Sequence, residues 1–283
     1  MTDLFALDFV RNALLVSVIM GLMLSYLGVH VVGRGIVFVD LALGQISMLG
    51  VAFAAFIEQD PTVVSILFTL VGAFLMSFIK VTDSRLKLES IIGIVYAVSS
   101  AVTVLLISKA AHGDADIQEV LFGSLFTVTN NQIWSMVIVF GLLGVMHFVF
   151  RKQFFAITRK FENKEVDDIS GFDLWNFLFY ISIGLAIVLA VRVGGVIPVF
   201  TFLIVPSVST VLMTRSTTSI VMIALLLSIV GSVLGIYFSV QFDFPAGPSL
   251  VAMLGVIFVV ASLVRLLRGR LQPSNQDLSD PLL

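Results

Sequence analysis

A carboxylate, Asp40, and an amide, Gln45, interrupt the apolar stretch of residues 33–55, which is long enough to cross a bilayer. An ionisable group in hydrocarbon costs at least ~2.5 kcal/mol, so such groups usually face a bundle interior or a pathway for polar solutes. The two side chains are five residues apart and offset by ~140° around an α-helix, so they do not share a face. A structural interpretation stays open, in which Asp40 caps the helix or pairs with Arg34 and Gln45 joins neighbouring helices. Otherwise the pattern indicates a chain that lets something polar into the membrane.

A second carboxylate, Asp243, lies in the polar loop 241–248, between two apolar stretches. Two prolines and a glycine within four residues make this loop a rigid turn. As a hard oxygen ligand, Asp243 could help receive a cation. It could equally cap the turn.

Several classes of chemistry are excluded. The chain has no cysteine, which removes disulfides, thiolate metal sites and cysteine nucleophiles. Its three histidines, His30, His112 and His147, include no pair at the close helical spacing of a zinc site. Nucleophile-elbow, H-E-x-x-H and P-loop motifs are absent from the sequence. A membrane enzyme is therefore not supported.

The composition predicts a membrane protein with many spans. Of 283 residues, 59% are hydrophobic and 12% are charged, whereas about 25% are charged in a soluble domain. The net charge of −2 argues against nucleic acid as a partner. The first residues lack the basic region and cleavage site of a signal peptide, so we expect the first helix to remain as an anchor in the lipid bilayer.

Apolar segments of about 20 residues predict an all-α transmembrane bundle. Residues 116–128 are apolar but too short to cross, and they predict a re-entrant or interfacial half-helix. Residues 1–270 would form a single transmembrane domain, and the polar residues 271–283 would form a disordered cytoplasmic tail. Nine spans are predicted, at residues 9–32, 36–56, 62–80, 89–109, 132–150, 174–192, 195–214, 218–240 and 248–266.

Lysine and arginine orient the bundle, because cytoplasmic loops carry an excess of both. With nine spans, every loop rich in these residues falls on one side, which places the N-terminus outside and the C-terminus inside. The richest of these loops continues into the charged segment 160–175, which predicts a short amphipathic helix on the membrane surface. That helix would dock a cytoplasmic partner, although a solvated connector is the alternative.

Five stretches, in this order along the chain, resemble the permease subunits of bacterial ABC importers for zinc, manganese and iron. The resemblance extends along nearly the whole chain and includes the pattern D-x-P-[AS]-G-P in the last stretch. The matching stretches are residues 38–54, 90–100, 121–129, 194–210 and 243–251.

The resemblance implies the membrane subunit of an importer in the bacterial inner membrane, with no catalysis and no bound cofactor of its own. Its partners would be a second copy of the chain, two cytoplasmic ATPase subunits that hold the ATP, and an extracytoplasmic metal-binding protein. A divalent metal ion would pass from the outer mouth near Asp243 along spans two, four and seven, past Gln45 and Asp40. A coupling helix at residues 160–171 would contact the ATPase through Glu162, Glu165, Asp168 and Gly171.

The second span departs from the family pattern G-D-A-L-S-H. The histidine position falls on Gln45 and the aspartate position on Leu41, with Asp40 one residue earlier. A neutral amide binds a transition metal more weakly than an imidazole does. Two alternatives therefore remain, namely the same architecture with a substrate that is not a metal, and a standalone secondary transporter. Inverted repeats would favour the latter, and none is detected.

Overall fold

The computed structural model describes residues 7–79, 87–108, 123–163 and 173–271. The described residues are almost entirely helical, which confirms the predicted fold class. A 3₁₀ turn, Leu125–Thr127, precedes the fifth helix. The helices are α1 (Asp8–Arg34), α2 (Val39–Phe56), α3 (Pro61–Ser77), α4 (Leu88–Ile107), α5 (Asn130–Val149), α6 (Arg151–Glu162), α7 (Leu174–Gly194), α8 (Val196–Met213), α9 (Thr217–Phe242) and α10 (Ala246–Leu271).

Nine of these helices coincide with the nine predicted spans. Eight are long and apolar enough to cross a membrane, and α3 is shorter, with 17 residues. The number of crossings and the sides of the two termini stay predictions. The remaining helix, α6, is a basic amphipathic helix of 12 residues that buries Phe154, Ile157 and Thr158. It begins before the surface helix predicted at 160–171, whose residues 164–171 lie outside the described residues.

Local polar residues determine where several helices begin. The Asp60 carboxylate accepts hydrogen bonds from the N–H groups of Thr62 and Val63, at 2.7 and 3.0 Å. These N–H groups hold the pKa of Asp60 below its ordinary value. At the start of α7, the Asp173 carboxylate accepts from the Asn176 N–H at 2.8 Å. Each carboxylate satisfies N–H groups that have no partner within the helix itself.

The helices form a bundle around α1. Of the most apolar part of α1, 67% is buried, because α8 and α9 pack along it and α5, α6 and α7 also touch it. On one side, α2 packs against α3 and α4, and α3 packs against α7. On the other side, α10 packs against α8 and α9. Of the most apolar part of α4 and of α10, only 17% is buried, so a single chain leaves much of both helices uncovered.

The described end of the predicted half-helix, residues 123–128, holds only the 3₁₀ turn Leu125–Thr127 and is fixed to the junction between α7 and α8. Residues 116–122 of that half-helix lie outside the described residues. Gly123 has a φ of +71° and packs so closely on Val193 and Gly194 that a Cβ atom would overlap their backbone. The Ser124 N–H also donates to the Val193 carbonyl at 3.0 Å. Two stretches of the resemblance, 121–129 and 194–210, therefore meet in space.

Candidate functional site

One face of α2 is buried and polar. Asp40 lies in the first turn, is 2% exposed, and has no hydrogen-bond partner for either carboxylate oxygen among the described residues. Ser47 is seven residues further along, two helical turns away and so on the same face. It is fully buried, and its hydroxyl has no partner in the described part of the chain. The positive end of the α2 dipole offsets only part of the cost of burying a carboxylate.

This face of α2 is directed at the α7–α8 junction. Gly44 lies between Asp40 and Ser47 on the same face, and a Cβ atom there would lie 3.7 Å from the side chains of Val191 and Val196. Val191 is in the last turn of α7, and Val196 is the first residue of α8. The polar face of α2 is therefore directed at the break in helical structure between α7 and α8.

Gln45 is directed toward a different neighbour. It is 6% exposed and lies ~100° around the helix from both Gly44 and Ile46. Gly44 faces α7 and α8, while Ile46 packs on Gly72 of α3. The other helix packed against α2 is α4, whose buried residues are Ile92, Ser99 and Thr103. The structure therefore keeps Asp40 and Gln45 on separate faces, as their spacing predicts.

Arg34 does not pair with Asp40, so the ion-pair alternative for Asp40 is wrong, while the capping alternative stays open. Its guanidinium donates from Nε to the Thr158 hydroxyl at 3.2 Å and from Nη1 to the Asn176 amide oxygen at 3.0 Å. It also stacks on the Phe179 ring, 3.7 Å from the ring centre. Arg34 thus joins α1 to α6 and α7, because the side chain turns toward those helices and away from the start of α2.

His30 strengthens the same junction. The Thr158 hydroxyl donates to the Phe154 carbonyl at 3.0 Å, so it accepts from Nδ1–H of His30 at 2.8 Å. This assignment leaves Nε2 of His30 to accept from the Tyr26 hydroxyl at 3.3 Å. We call His30, Arg34, Thr158 and Asn176 the α6 anchor. The sequence gives no signal for it, because its hydrogen bonds join residues more than 100 positions apart.

The α6 anchor connects the segment predicted to couple with a partner to the rest of the bundle. The Asn176 side chain also donates to the Ser77 carbonyl at 3.3 Å, which adds α3 to the helices held together here. Of the predicted partner-coupling residues, only Glu162 is described, in the last turn of α6. Glu165, Asp168 and Gly171 lie outside the described residues.

Asp243 lies at the other end of the bundle. It ends α9, a helix of 26 residues that extends ~39 Å. The start of α9, at Thr217, lines a groove together with residues of α6, so Asp243 lies at the end of the bundle far from α6. The Asp243 backbone is left-handed, with φ +56°, and the N–H groups of Asp243 and Phe244 are both directed to the Ser239 carbonyl. The backbone of Asp243 therefore ends the helix, while its carboxylate is exposed.

Asp40, Gln45 and Asp243 are therefore not brought together as one ligand set. Among the described residues, no group of three or more histidine, aspartate or glutamate side chains could hold a metal ion. Metal binding by these three residues stays a prediction.

Comparison with known proteins identifies the family. The pattern of the ABC 3 transport family matches residues 6–265. The chain belongs to this family. It is 26% identical over 269 residues to the manganese transport system membrane protein MntC of Listeria innocua serovar 6a, covering 95% of each chain. It is 24% identical to the high-affinity zinc uptake system membrane protein ZnuB of Haemophilus influenzae, covering 89% of this chain and 96% of the relative.

A solved structure shares the fold of this ABC 3 permease. PsaBC from Streptococcus pneumoniae in complex with Fab superimposes with a TM-score of 0.77 at 23% identity, covering 92% of this chain and 93% of that chain. The expected family of metal-transporting ABC permeases and the multi-pass location in the cytoplasmic membrane are thereby confirmed.

The α6 anchor of this ABC 3 permease can be tested with Thr158→Val. The change keeps the shape of the side chain but leaves Nδ1 of His30 and Nε of Arg34 without their acceptor. We expect the free energy of unfolding to fall by ~1–3 kcal/mol, measured as a lower thermal unfolding midpoint in detergent. The matched control is Thr69→Val, since the fully buried Thr69 hydroxyl bonds only the Ser65 carbonyl, at 2.7 Å, within the described part of the chain. Equal midpoints for the two variants would show that the anchor contributes no stability.

Proposed function

We propose that this chain is the transmembrane subunit of an ATP-driven importer for a divalent transition-metal ion, namely zinc, manganese or iron. The buried polar face of α2, on which Asp40 has no hydrogen-bond partner among the described residues, is the observation that carries the proposal. A carboxylate buried without a partner destabilises the fold, because it loses its hydrogen bonds to water. Polar groups that are kept inside a membrane in spite of this cost usually mark ion pathways. Relatives named for manganese and zinc transport make a divalent metal the preferred solute.

The ion would enter at the outer mouth near Asp243 and residues 121–129 and move between α2, α4 and α8. Contacts of α2 with both α4 and α8 support this route. Gln45 and Asp40 would interact with the ion in turn, since they face different neighbours. The carboxylate of Asp40 is the stronger ligand of the two for a hard or borderline cation.

The transporting unit would be a homodimer with two cytoplasmic ATPase subunits and an extracytoplasmic metal-binding protein. The uncovered face of α4 supports the second copy, because the exposed Ser90 and Tyr96 are polar groups that hydrocarbon solvates poorly. Glu162, Glu165, Asp168 and Gly171 would contact the ATPase. Through the α6 anchor, a displacement of that segment would then move α1, α3 and α7.

The test is ATP-dependent uptake. The chain would be purified with the ATPase that it recruits, reconstituted in vesicles with its binding protein, and supplied with zinc, manganese or iron. We expect one of the three ions to accumulate only when ATP is present. ATP hydrolysis without movement of any metal would contradict the metal assignment while leaving the ABC architecture intact. Uptake without the ATPase would instead identify a secondary transporter.

A second candidate, an ABC permease for a different substrate, is favoured by Gln45 at the family's usual histidine position. Gln45→His separates the two, because imidazole binds zinc well whereas manganese prefers oxygen ligands. If Gln45 lines a metal pathway, this variant should raise the ratio of zinc to manganese uptake by ~10-fold or more. The control is Gln59→His, the same change on the exposed loop after α2. An unchanged ratio would place Gln45 outside a metal pathway.

A further inference from the structure

A wide groove runs along one side of the bundle between α1, α5, α6 and α9, away from the proposed pathway. Its volume is about 1100 Å³, whereas pockets for small molecules hold roughly 300–1000 Å³. Its walls are mainly apolar, with Leu22 and Met23 from α1, Val137 and Phe140 from α5, and Met222 from α9. We call it the side groove. Its size and walls fit a long apolar ligand.

One end of the side groove is strongly basic. Arg151, Lys152 and Arg159 of α6 line this end, and all three are exposed. The Arg151 guanidinium rests 5.0 Å from the ring centre of Phe148, and no carboxylate in the described part of the chain pairs with any of the three cations. The positive-inside rule places this end at the cytoplasmic leaflet. An anionic headgroup there would meet three unpaired cations.

An unpaired histidine lies just beyond the basic end. His147 lines the side groove, is 1% exposed, and stacks on Phe154 with ring centres 3.9 Å apart. Neither of its ring nitrogens has a hydrogen-bond partner among the described residues. Buried polar groups rarely stay unpaired, since each loses the hydrogen bonds that water would supply. Both nitrogens of His147 are nonetheless covered by protein atoms, so a ligand in the groove does not reach them. The polar groups that line this part of the groove are the hydroxyls of Thr217 and Thr218, at the start of α9.

We propose that the side groove binds an anionic glycerophospholipid of the cytoplasmic leaflet. Its phosphate would lie among Arg151, Lys152 and Arg159, its glycerol oxygens would lie near Thr217 and Thr218, and its acyl chains would extend between α1, α5 and α9. The groove offers this order of basic, polar and apolar surface from one end to the other. A second copy of the chain fits less well, because a two-fold contact would bring the same three cations toward each other.

The experiment compares lipids that differ only in charge. The full chain, delipidated in a neutral detergent, would be titrated with dioleoylphosphatidylglycerol, dioleoylphosphatidylcholine or glycerol 3-phosphate. Bound molecules would be counted by native mass spectrometry, and the thermal unfolding midpoint would be recorded. We expect phosphatidylglycerol alone to stay bound and to raise the midpoint. The triple variant Arg151→Gln, Lys152→Gln, Arg159→Gln should weaken its binding by at least ~10-fold.

Two further variants distinguish binding in the side groove from a general attraction of anionic lipid to the positive charge of the chain. A control with Lys87→Gln, Lys160→Gln and Arg265→Gln removes three cations that do not line the groove, and it should bind phosphatidylglycerol as the original chain does. Gly144→Leu fills the groove without changing its charge, because a Cβ atom at Gly144 meets no atom within 4 Å. This variant should fold and lose the lipid.

Four results would overturn the proposal. The first is equal binding of both lipids, which would make the groove merely apolar. The second is equal binding of phosphatidylglycerol by the triple variant and its control. The third is binding of glycerol 3-phosphate alone, which would identify a site for a free phosphate. Cross-linking of two copies through cysteines placed at Val137 and Met222 would assign the groove to a second chain and likewise overturn it.

Discussion

Gly28→Ala is expected to leave little folded protein, because this residue lies where α1 and α8 are in closest contact. A Cβ atom on Gly28 would overlap the Leu203 carbonyl oxygen and lie 2.6 Å from the Ser207 hydroxyl. On either side of this contact, the Ser207 hydroxyl donates to the Ser25 carbonyl at 3.0 Å. The Ser25 hydroxyl donates to the Gly21 carbonyl at 2.6 Å and shares its proton with the Phe202 carbonyl at 3.3 Å. Small residues allow such close approach of two helices in a membrane. An added methyl group would separate α1 from α8 and break both hydrogen bonds between them.

Overpacking of this kind costs typically ~1–3 kcal/mol, and each lost interhelical hydrogen bond adds ~0.6 kcal/mol. The yield of monodisperse protein in detergent and its thermal unfolding midpoint would both be measured. Gly141→Ala is the matched control, since it also replaces a glycine within a helix and its Cβ meets no atom within 4 Å. If the two variants give equal yields and midpoints, α1 and α8 do not depend on their close contact.

The long helices could be predicted from the sequence because their cause is local. A run of apolar residues of bilayer length carries its own signal, so all nine predicted spans coincide with helices in the described residues. The start of α6 could not be predicted, although the sequence there has the spacing of an amphipathic helix. Phe154, Ile157 and Phe161 recur at helical spacing among basic residues, but they follow the fifth span without a break, which hides the boundary.

The α6 anchor and the direction of Arg34 could not be predicted, because both depend on contacts between distant parts of the chain. Arg34 and Asp40 are six residues apart, which suggested an ion pair, yet Arg34 finds its partners on α6 and α7. The polar face of α2 falls between these cases. Asp40 and Ser47 share a face by spacing alone, but only the packed structure shows that both are buried without a partner.

Asp40→Asn should stabilise the fold and stop transport. The change replaces a buried carboxylate that has no partner among the described residues by a neutral side chain of the same shape. A carboxyl group without a partner is costly to bury, either as an unpaired charge or because it must take up a proton that it would release in water. An amide has neither cost, so we expect the free energy of unfolding to rise by ~1 kcal/mol or more. The same change removes the negative charge that would attract a cation in the pathway. Opposite effects on stability and transport identify a functional residue, since a structural residue loses both together.

Stability would be measured as the thermal unfolding midpoint of the purified chain, and transport as ATP-dependent metal uptake by the reconstituted complex. Uptake should fall by at least ~10-fold, in the range of other lost interactions with metals. The matched control is Asp60→Asn, because Asp60 is also an aspartate at the start of a helix but has structural partners, the N–H groups of Thr62 and Val63 at 2.7 and 3.0 Å. Asparagine caps helices about as well as aspartate, so this control should keep both its stability and its transport.

The pair of variants separates three roles of Asp40. A pathway role predicts higher stability with lost uptake for Asp40→Asn, and little change in either quantity for Asp60→Asn. A capping role at the start of α2 predicts unchanged uptake, and that result would remove Asp40 from the pathway. A structural role with a partner elsewhere predicts that stability and uptake fall together. Only the first role explains why a carboxylate is kept in the interior of a membrane bundle without a hydrogen bond from any described residue.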